Sequence, residues 1–454
     1  MEGKYKAYPE YKETGVEWLG AVPAHWDVML IKHLSTVRRG ASPRPIDDSK
    51  YFDEQGEYAW TRIADVSSSD VYLNKTKQRL SDLGSSLSVK LEPGSLFLSI
   101  AGTVGKPCIT KMKACIHDGF VYFPELYIPI KYLFYVFAGE QAYKGLGKFG
   151  TQLNLNTDTV GGIKIGCTRN DELEGIVRFL DHETAKIDKL IEKQKRLIEL
   201  LKEKRQAVIS HAVTKGLNPS APLRPSGIDW LGDVPAHWVT TKAKYLFKFI
   251  TSGSRGWAEY YSDTGSLFFR IANLTRETIE PKLMSIQRVS PPTDSEGSRA
   301  IIEKDDLLIS ITADLGSVCV ATDEIVGGFV SQHVALCRPG EAVSSAFWLG
   351  YFILSDLAKE QLLSSGYGGT KIQLSLEDIK ELWVVLPESD EQKEIAAYID
   401  VKLQKFAQLM ELADAQIKLL RERRTALISA AVTGKIDVRD WQAPSEELSE
   451  GEAA

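Results

Sequence analysis

No two cysteines in this sequence are spaced as CxxC. The five that exist, Cys108, Cys115, Cys167, Cys319 and Cys337, are scattered and odd in number. That pattern argues against a disulfide framework and against a zinc site, and leaves buried free thiols as the expectation. Long apolar runs are missing too: none approaches the ~20 residues that a membrane helix needs. The opening MEGKYKAYPE has no apolar core of the kind a secretory signal carries, so a cytoplasmic protein with no membrane partner is the default. Nor is there an excess of positive charge. The formal net charge is −6, unlike a generic nucleic-acid binder that is basic throughout, although a local basic face would suffice. Part of the acid lies in SEELSEGEAA at the end, and 435–454 is expected to be an acidic disordered tail.

Catalytic signatures are equally scarce. The nearest approach to a phosphate-binding GxxxxGK[ST] loop is GTVGKP at Gly102–Pro107, which is too short and ends in proline. There is no GxGxxG after a strand, and no Asn/Asp-Pro-Pro-aromatic stretch of the kind used by amino-methyltransferases. No catalytic residue and no metal ligand are assigned. Glu391-Gln392-Lys393, beside Asp390, resembles a nuclease Glu-x-Lys. It opens a helix, however, where acidic residues favour the N-terminal dipole, and capping is the preferred reading. His25 and His237 each stand between Ala and Trp with no acidic pair nearby, which suits packing or a turn hydrogen bond. Trp18, Trp26, Trp230 and Trp238 could form a base-stacking set, but their regular placement around VP favours a segment capping each globular part.

What the sequence does have is itself, twice. GVEWLGAVPAHW (Gly15–Trp26) returns as GIDWLGDVPAHW (Gly227–Trp238), differing only at 16/228, 17/229 and 21/233. RIADV (Arg62–Val66) matches RIANL (Arg270–Leu274). LEPGSLFLSIAGTVGKPCI (Leu91–Ile109) matches IEKDDLLISITADLGSVCV (Ile302–Val320). GTQLNLNTDTVGGIKI (Gly150–Ile165) matches GTKIQLSLEDIKELWV (Gly369–Val384), and QAVISHAVT (Gln206–Thr214) matches TALISAAVT (Thr425–Thr433). From Gly150 onward the offset is a constant 219 residues. The 454 residues, enough for two to four domains, are therefore a tandem duplication.

Each half opens with about 150 residues of short β-type runs, such as SLFLSI and DLLISIT, broken by Gly-rich stretches. A long helix follows; 181–212 contains no Pro and no Gly. The fold class is α+β, a pseudo-twofold tandem repeat. With Ile187 as position a, the heptad series runs Ile187, Leu190, Gln194, Leu197, Leu201, Lys204, Val208. In the second half it runs Phe406, Leu409, Ala413, Gln416, Leu420, Arg423, Leu427. Ile191/Met410 and Ile198/Ile417 widen the stripe. The apolar members are expected to form a coiled-coil seam between two antiparallel helices with a globular domain at each end. A helix of about 30 residues is roughly 45 Å long and would span about 13 base pairs at ~3.4 Å rise. The charged faces, as in KLIEKQKRLIELLKEKR (Lys189–Arg205), suit either solvent or a partner.

The repeated WLGxVPAHW opening, two dissimilar globular regions and two helices ending in A(V/L)ISxAVT resemble the specificity subunit of type I restriction–modification systems. The resemblance covers nearly the whole chain. It implies an N-terminal segment (1–17), a first target-recognition domain (18–168), a first spacer helix (169–216) and a linker (217–229). A second target-recognition domain (230–388), a second spacer helix (389–434) and the tail (435–454) complete the chain. It further implies that each recognition domain, mixed and β-rich, reads one half of a bipartite site in double-stranded DNA. The spacers would set the gap and dock two modification subunits, which bring S-adenosylmethionine and methylate adenine at N6. Restriction subunits would join with ATP and Mg²⁺. No cofactor is expected in this chain, nor any catalysis.

Base readout favours Arg or Lys for guanine and Asn or Gln for adenine, and phosphates accept any donor. The candidates for DNA contact are Arg38, Arg39, Arg44, Arg62, Lys106, Lys148, Gln152 and Asn154 in the first half. In the second they are Arg255, Arg270, Arg276, Lys371 and Gln373. Arg62 and Arg270 recur in RIA and are alternatively internal salt-bridge partners. Three rival readings stand beside the main one: an orphan DNA-binding regulator of the same build without a methylase partner, a nuclease built on Glu391 and Lys393, and a purely structural coiled-coil protein.

Overall fold

The computed structural model describes residues 5–143, 155–291, 299–365 and 373–443. The chain divides into two compact units. One comprises 1–194 with 415–454, the other 195–414. Each unit draws on both halves of the repeat, because two long helices, Asn170–Lys215 and Ser389–Val432, are each shared between the units. At 46 and 44 residues they are longer than the Gly-free stretch suggested. The first runs through Gly175 and starts at Asn170, with Asp171 and Glu172 in its first turn.

In the first unit the dodecamer folds as a turn and a strand. Ala21–Pro23 pairs antiparallel with Tyr11–Glu13. Gly15 and Gly20 take φ of +65° and +60°, a left-handed conformation that glycine adopts at little cost. The next strand, Asp27–Leu30, pairs antiparallel with Lys164–Cys167, the last strand before the helix. Everything between these two strands is an insertion into one ribbon. It contains a five-stranded sheet in the order Arg38–Arg39, Phe120–Tyr122, Leu96–Ser99, Pro107–Thr110, Tyr72–Leu73. It also contains a four-stranded sheet in the order Gln78–Leu80, Tyr58–Thr61, Ala114–Ile116, Val89–Leu91. Central strands such as Leu96–Ser99 and Tyr58–Thr61 are buried at every position, which is why they read as continuous apolar runs instead of alternating ones.

The second unit repeats the plan. Asp233–Pro235 pairs with Leu223–Pro225, and Val239–Lys242 pairs with Trp383–Leu386 to close the ribbon. The insertion has two four-stranded sheets. The parallel pairing of Tyr58–Thr61 with Ala114–Ile116 recurs as Ser266–Phe269 with Phe329–Val330.

Most of the expected apolar stripe is covered, but three of its leucines are not. Ile187 and Leu201 are buried, Val208 and Leu420 half-buried, and Phe406 and Leu427 buried. Leu190, Leu197 and Leu409 are 45%, 42% and 49% exposed and do not belong to a buried seam. The covered series steps by four and then three, through Ile187, Ile191, Ile198 and Leu201 in one helix and Phe406, Ala413, Ile417 and Leu427 in the other. Both Leu at i+3 and Ile or Met at i+4 are apolar, so the stripe is wider than the seam, and only the position of the packed neighbour decides which edge is buried.

Candidate nucleic-acid interface and its scaffold

The dodecamer ends in His-Trp because both side chains reach one carboxylate. In the first unit Glu172, in the first turn of its helix, accepts from Trp26 Nε1 at 2.9 Å, His25 Nε2 at 2.9 Å, Tyr8 Oη at 2.7 Å and Thr168 Oγ1 at 3.0 Å. Burial pushes the Glu172 carboxyl up, but the hydrogen bonds from Tyr8, Trp26, His25 and Thr168 outweigh it and hold the group below its ordinary value. In the second unit Glu391, the residue 219 positions on, accepts from Trp238 Nε1 at 2.7 Å and His237 Nε2 at 3.0 Å. Trp26 and Trp238 are fully enclosed, so neither is a base-stacking surface. Glu391 is an acceptor for the clasp, and Lys393 pairs with Asp390 at 3.3 Å. That leaves the nuclease reading of this segment without a free carboxylate.

The same clasp holds the end of the opposite helix. Gly434, just past the second helix, lies against Pro23 and Trp26, and a Cβ there would overlap the Pro23 ring. Gly216, just past the first, lies against Trp238 and Glu391. Both have positive φ, as a residue ending a helix in the left-handed conformation requires. Within each unit, then, a dodecamer joins the start of one long helix to the end of the other.

Four of the first-half candidates come together. The turn Ile63–Ser67 follows Arg62, whose backbone N–H is held by Asp65 Oδ2 at 2.9 Å. Lys106 donates to Ser67 O at 3.0 Å, and Gly102 packs on Ile63. Arg62 is close enough to His117 to oppose its protonation. Burial is the main cause of the lowered His117 pKa, and Asp118 opposes the shift. Arg39 Nε donates to Asp118 O at 2.6 Å, and Arg44 lies 3.6 Å from the Asp118 carboxylate. Arg38 is exposed, but strand alternation turns it to the other face from Arg39. In the second half Arg270 occupies the place of Arg62, with its N–H held by Asn273 Oδ1 at 2.9 Å. Arg255 is exposed, Gln373 is exposed and bridges Thr312, and Arg276 is ion-paired with Asp314, which occupies a charge expected to be free. Among the described residues neither Arg62 nor Arg270 has an ion pair, and Arg270 Nε is buried without a partner. Their recurrence is not explained by internal salt bridges. Lys148, Gln152, Asn154 and Lys371 lie outside the described residues.

Beside each of these arginines stands a loop that the choice of residues passed over: His117–Asp118 in one half and Ser331–Gln332 in the other. They follow the paired strand ends Ile116 and Val330, and Gln332 Nε2 lies 3.1 Å from His333 Nε2.

Among the described residues no three His, Cys, Asp or Glu side chains converge as a metal set, and no helix is long and apolar enough to cross a membrane. All five cysteines are buried and free. Burial pushes the Cys115 thiol up to about 11 and those of Cys108 and Cys167 up to about 12.

A ribbon-closed α+β unit, duplicated and clasped to shared helices, is a fold also seen in a solved structure. The chain aligns over 91% of its length with 99% of a chain titled "Structural basis underlying complex assembly and conformational transition of the type I R-M system", at a TM-score of 0.66 and 16% identity. Residues 293–419 match the Type I restriction modification DNA specificity domain. The Type I restriction enzyme EcoBI specificity subunit of Escherichia coli is 20% identical over 61% of this chain and 59% of its own length. The MjaIX specificity subunit of Methanocaldococcus jannaschii is 24% identical over 44% and 46%. The alignments thus span less than two thirds of either curated relative. By these likenesses the chain is similar to specificity subunits of type I restriction–modification systems, with the family's specificity domain matched over 293–419.

Proposed function

We propose that this chain is the non-catalytic DNA-recognition subunit of a type I restriction–modification complex. Each unit reads one half of a bipartite target, and the two helices fix the gap and dock two modification subunits. The observation that carries the reading is repetition of the scaffold beside divergence of the loops it presents. Arg62 and Arg270 are set at the same place by the same backbone bond, while the adjacent residues are His117–Asp118 in one half and Ser331–Gln332 in the other. Shared arginines supply phosphate or guanine contacts, and differing neighbours supply different base preferences. The exposed apolar residues of the helices, Leu190, Leu197 and Leu200 on the first and Tyr398, Val401, Leu409, Leu412 and Leu419 on the second, support docking, because such rows are depleted on monomer surfaces. In this reading S-adenosylmethionine, ATP and Mg²⁺ belong to the modification and restriction subunits.

The test is to express the chain with its neighbouring methylase and sequence the genome for N6-methyladenine. One motif with two short specified halves and an unspecified gap is the expected result. Absence of methylation with all chains soluble, alongside sequence-selective DNA binding by this chain alone, would favour the orphan regulator instead.

A further inference from the structure

Among the charges at which the two long helices differ, one faces a partly buried arginine. In the first unit Arg424 donates from Nε to Asp188 Oδ1 at 2.9 Å. Its counterpart in the second unit, 219 residues earlier, is Arg205. The counterpart of Asp188 is Ala407, so the carboxylate is gone. Among the described residues Arg205, only 12% exposed along its side chain, has Glu277 at 3.9 Å as its one ion-pair contact and keeps a buried Nε with no hydrogen-bond partner. A buried guanidinium nitrogen left unpaired costs free energy, and a missing acceptor is the simplest account of it.

A cleft lies beside it. A cleft of about 190 Å³ in the second unit is lined by Lys202, Arg205, Arg276, Ser317, Asp356 and Lys359. Ser317 is 2% exposed, and its Oγ also lacks a partner. Lys202 has Glu199 at 3.2 Å and Arg276 has Asp314, whereas Lys359 has no ion pair among the described residues. In the first unit the position of Ser317 is held by Lys106, whose ammonium is spent on Ser67 O. The second unit therefore has two unsatisfied buried donors and an unpaired lysine around one cleft, where the first unit has internal partners.

We propose that this cleft binds a phosphate-class anion, with Arg205 Nε and Ser317 Oγ donating and Lys359 supplying charge. A phosphate oxygen replaces the carboxylate that Asp188 provides in the other half. Two sources carry that chemistry: a phosphate of the DNA backbone, or a free phosphate. The DNA source rests on the recognition role proposed above; the site itself does not.

The experiment titrates inorganic phosphate into the full-length protein by calorimetry at constant ionic strength, for wild type, Ala407→Asp and Arg205→Met. Ala407 is exposed, and the first unit tolerates Asp at that place, so Ala407→Asp keeps the fold while supplying the internal acceptor. In parallel, the salt dependence of binding to a non-cognate duplex is measured for wild type and Ala407→Asp. If the site is real, Ala407→Asp and Arg205→Met each weaken phosphate binding by roughly tenfold or more, or Ala407→Asp lowers the DNA salt slope by about one. A changed slope identifies a backbone phosphate; lost phosphate binding with an unchanged slope identifies a free anion. Phosphate binding that is absent or equal in all three proteins, together with an unchanged slope, overturns the proposal. Ser317→Ala, which removes one hydroxyl, replaces Arg205→Met if that variant fails to fold. Wild-type DNA binding is read in the same experiment, so failure of this site leaves the recognition role separately judged.

Discussion

The two units carry one plan but satisfy their buried charges differently. In the first, the clasp carboxylate Glu172 collects four donors and is almost enclosed; in the second, Glu391 collects two and keeps a side chain 24% exposed. In the first, Ser95 stands where the second has Asp306, a fully buried carboxylate held bidentate by Arg338 at 2.8 and 2.9 Å. Duplication thus preserved backbone geometry and the helix-joining function of the dodecamer, while the electrostatic details drifted independently. A scaffold held by geometry leaves side chains free to diverge, as the proposed reading of two different half-sites requires.

That contrast can be broken at its strongest point. Arg338→Met leaves Asp306 buried without a counter-charge and should cost about 3–5 kcal/mol, measured by chemical denaturation. Ser95→Ala in the other unit should cost well under that. The clasp gives the next largest difference. Glu172→Ala strips acceptors from enclosed Trp26 and Tyr8 and should destabilise by about 3 kcal/mol, against about 1–2 kcal/mol for Glu391→Ala. The pH dependence sharpens it. Because the Glu172 pKa is lowered in the folded state, its stabilisation is complete above the unfolded carboxyl value and is lost as pH falls through the folded one. Wild type should therefore lose stability more steeply than Glu172→Gln as pH drops below about 4.5.

Smaller effects separate reading from folding. Arg62→Ala and Arg270→Ala should each weaken cognate DNA binding by about 1–3 kcal/mol with little change in melting temperature. Leu409→Ser with Leu412→Ser should change stability by within about 0.5 kcal/mol, as exposed positions do, yet reduce co-purification with a modification subunit. Loss of folding in that double variant would instead mean that this row packs inside the protein.

Much of this was legible in the sequence, and for physical reasons. The duplication and both long helices follow from the constant offset and from the absence of helix breakers. Central strands were visible as Leu96–Ser99 and Leu307–Ser310 because strands buried on both faces read as short apolar runs. Leu190, Leu197 and Leu409 were included in the seam because Leu190 and Ile191, or Leu409 and Met410, are equally apolar, and sequence alone carries no direction toward the neighbour. The clasp was half visible. His237, Trp238 and the acidic start of the second helix were each noticed, but the bond between His237 and Glu391 spans 154 residues, and nothing local announces it. Arg62, Arg39, Arg44 and Lys106 were chosen as donors one at a time. Their convergence comes from the packing of a turn, a loop and an edge strand, which also brings in Asp118, an acidic residue that a search for donors overlooks.

The central claim is that the two units read separate half-sites. The most direct measurement is the N6-methyladenine motif produced in cells carrying the cognate methylase with Arg62→Ala or with Arg270→Ala. The account predicts that each variant relaxes specificity in one half of the motif only, a different half for each, with the gap unchanged. Relaxation of both halves by either variant, or a change in the gap, would contradict it.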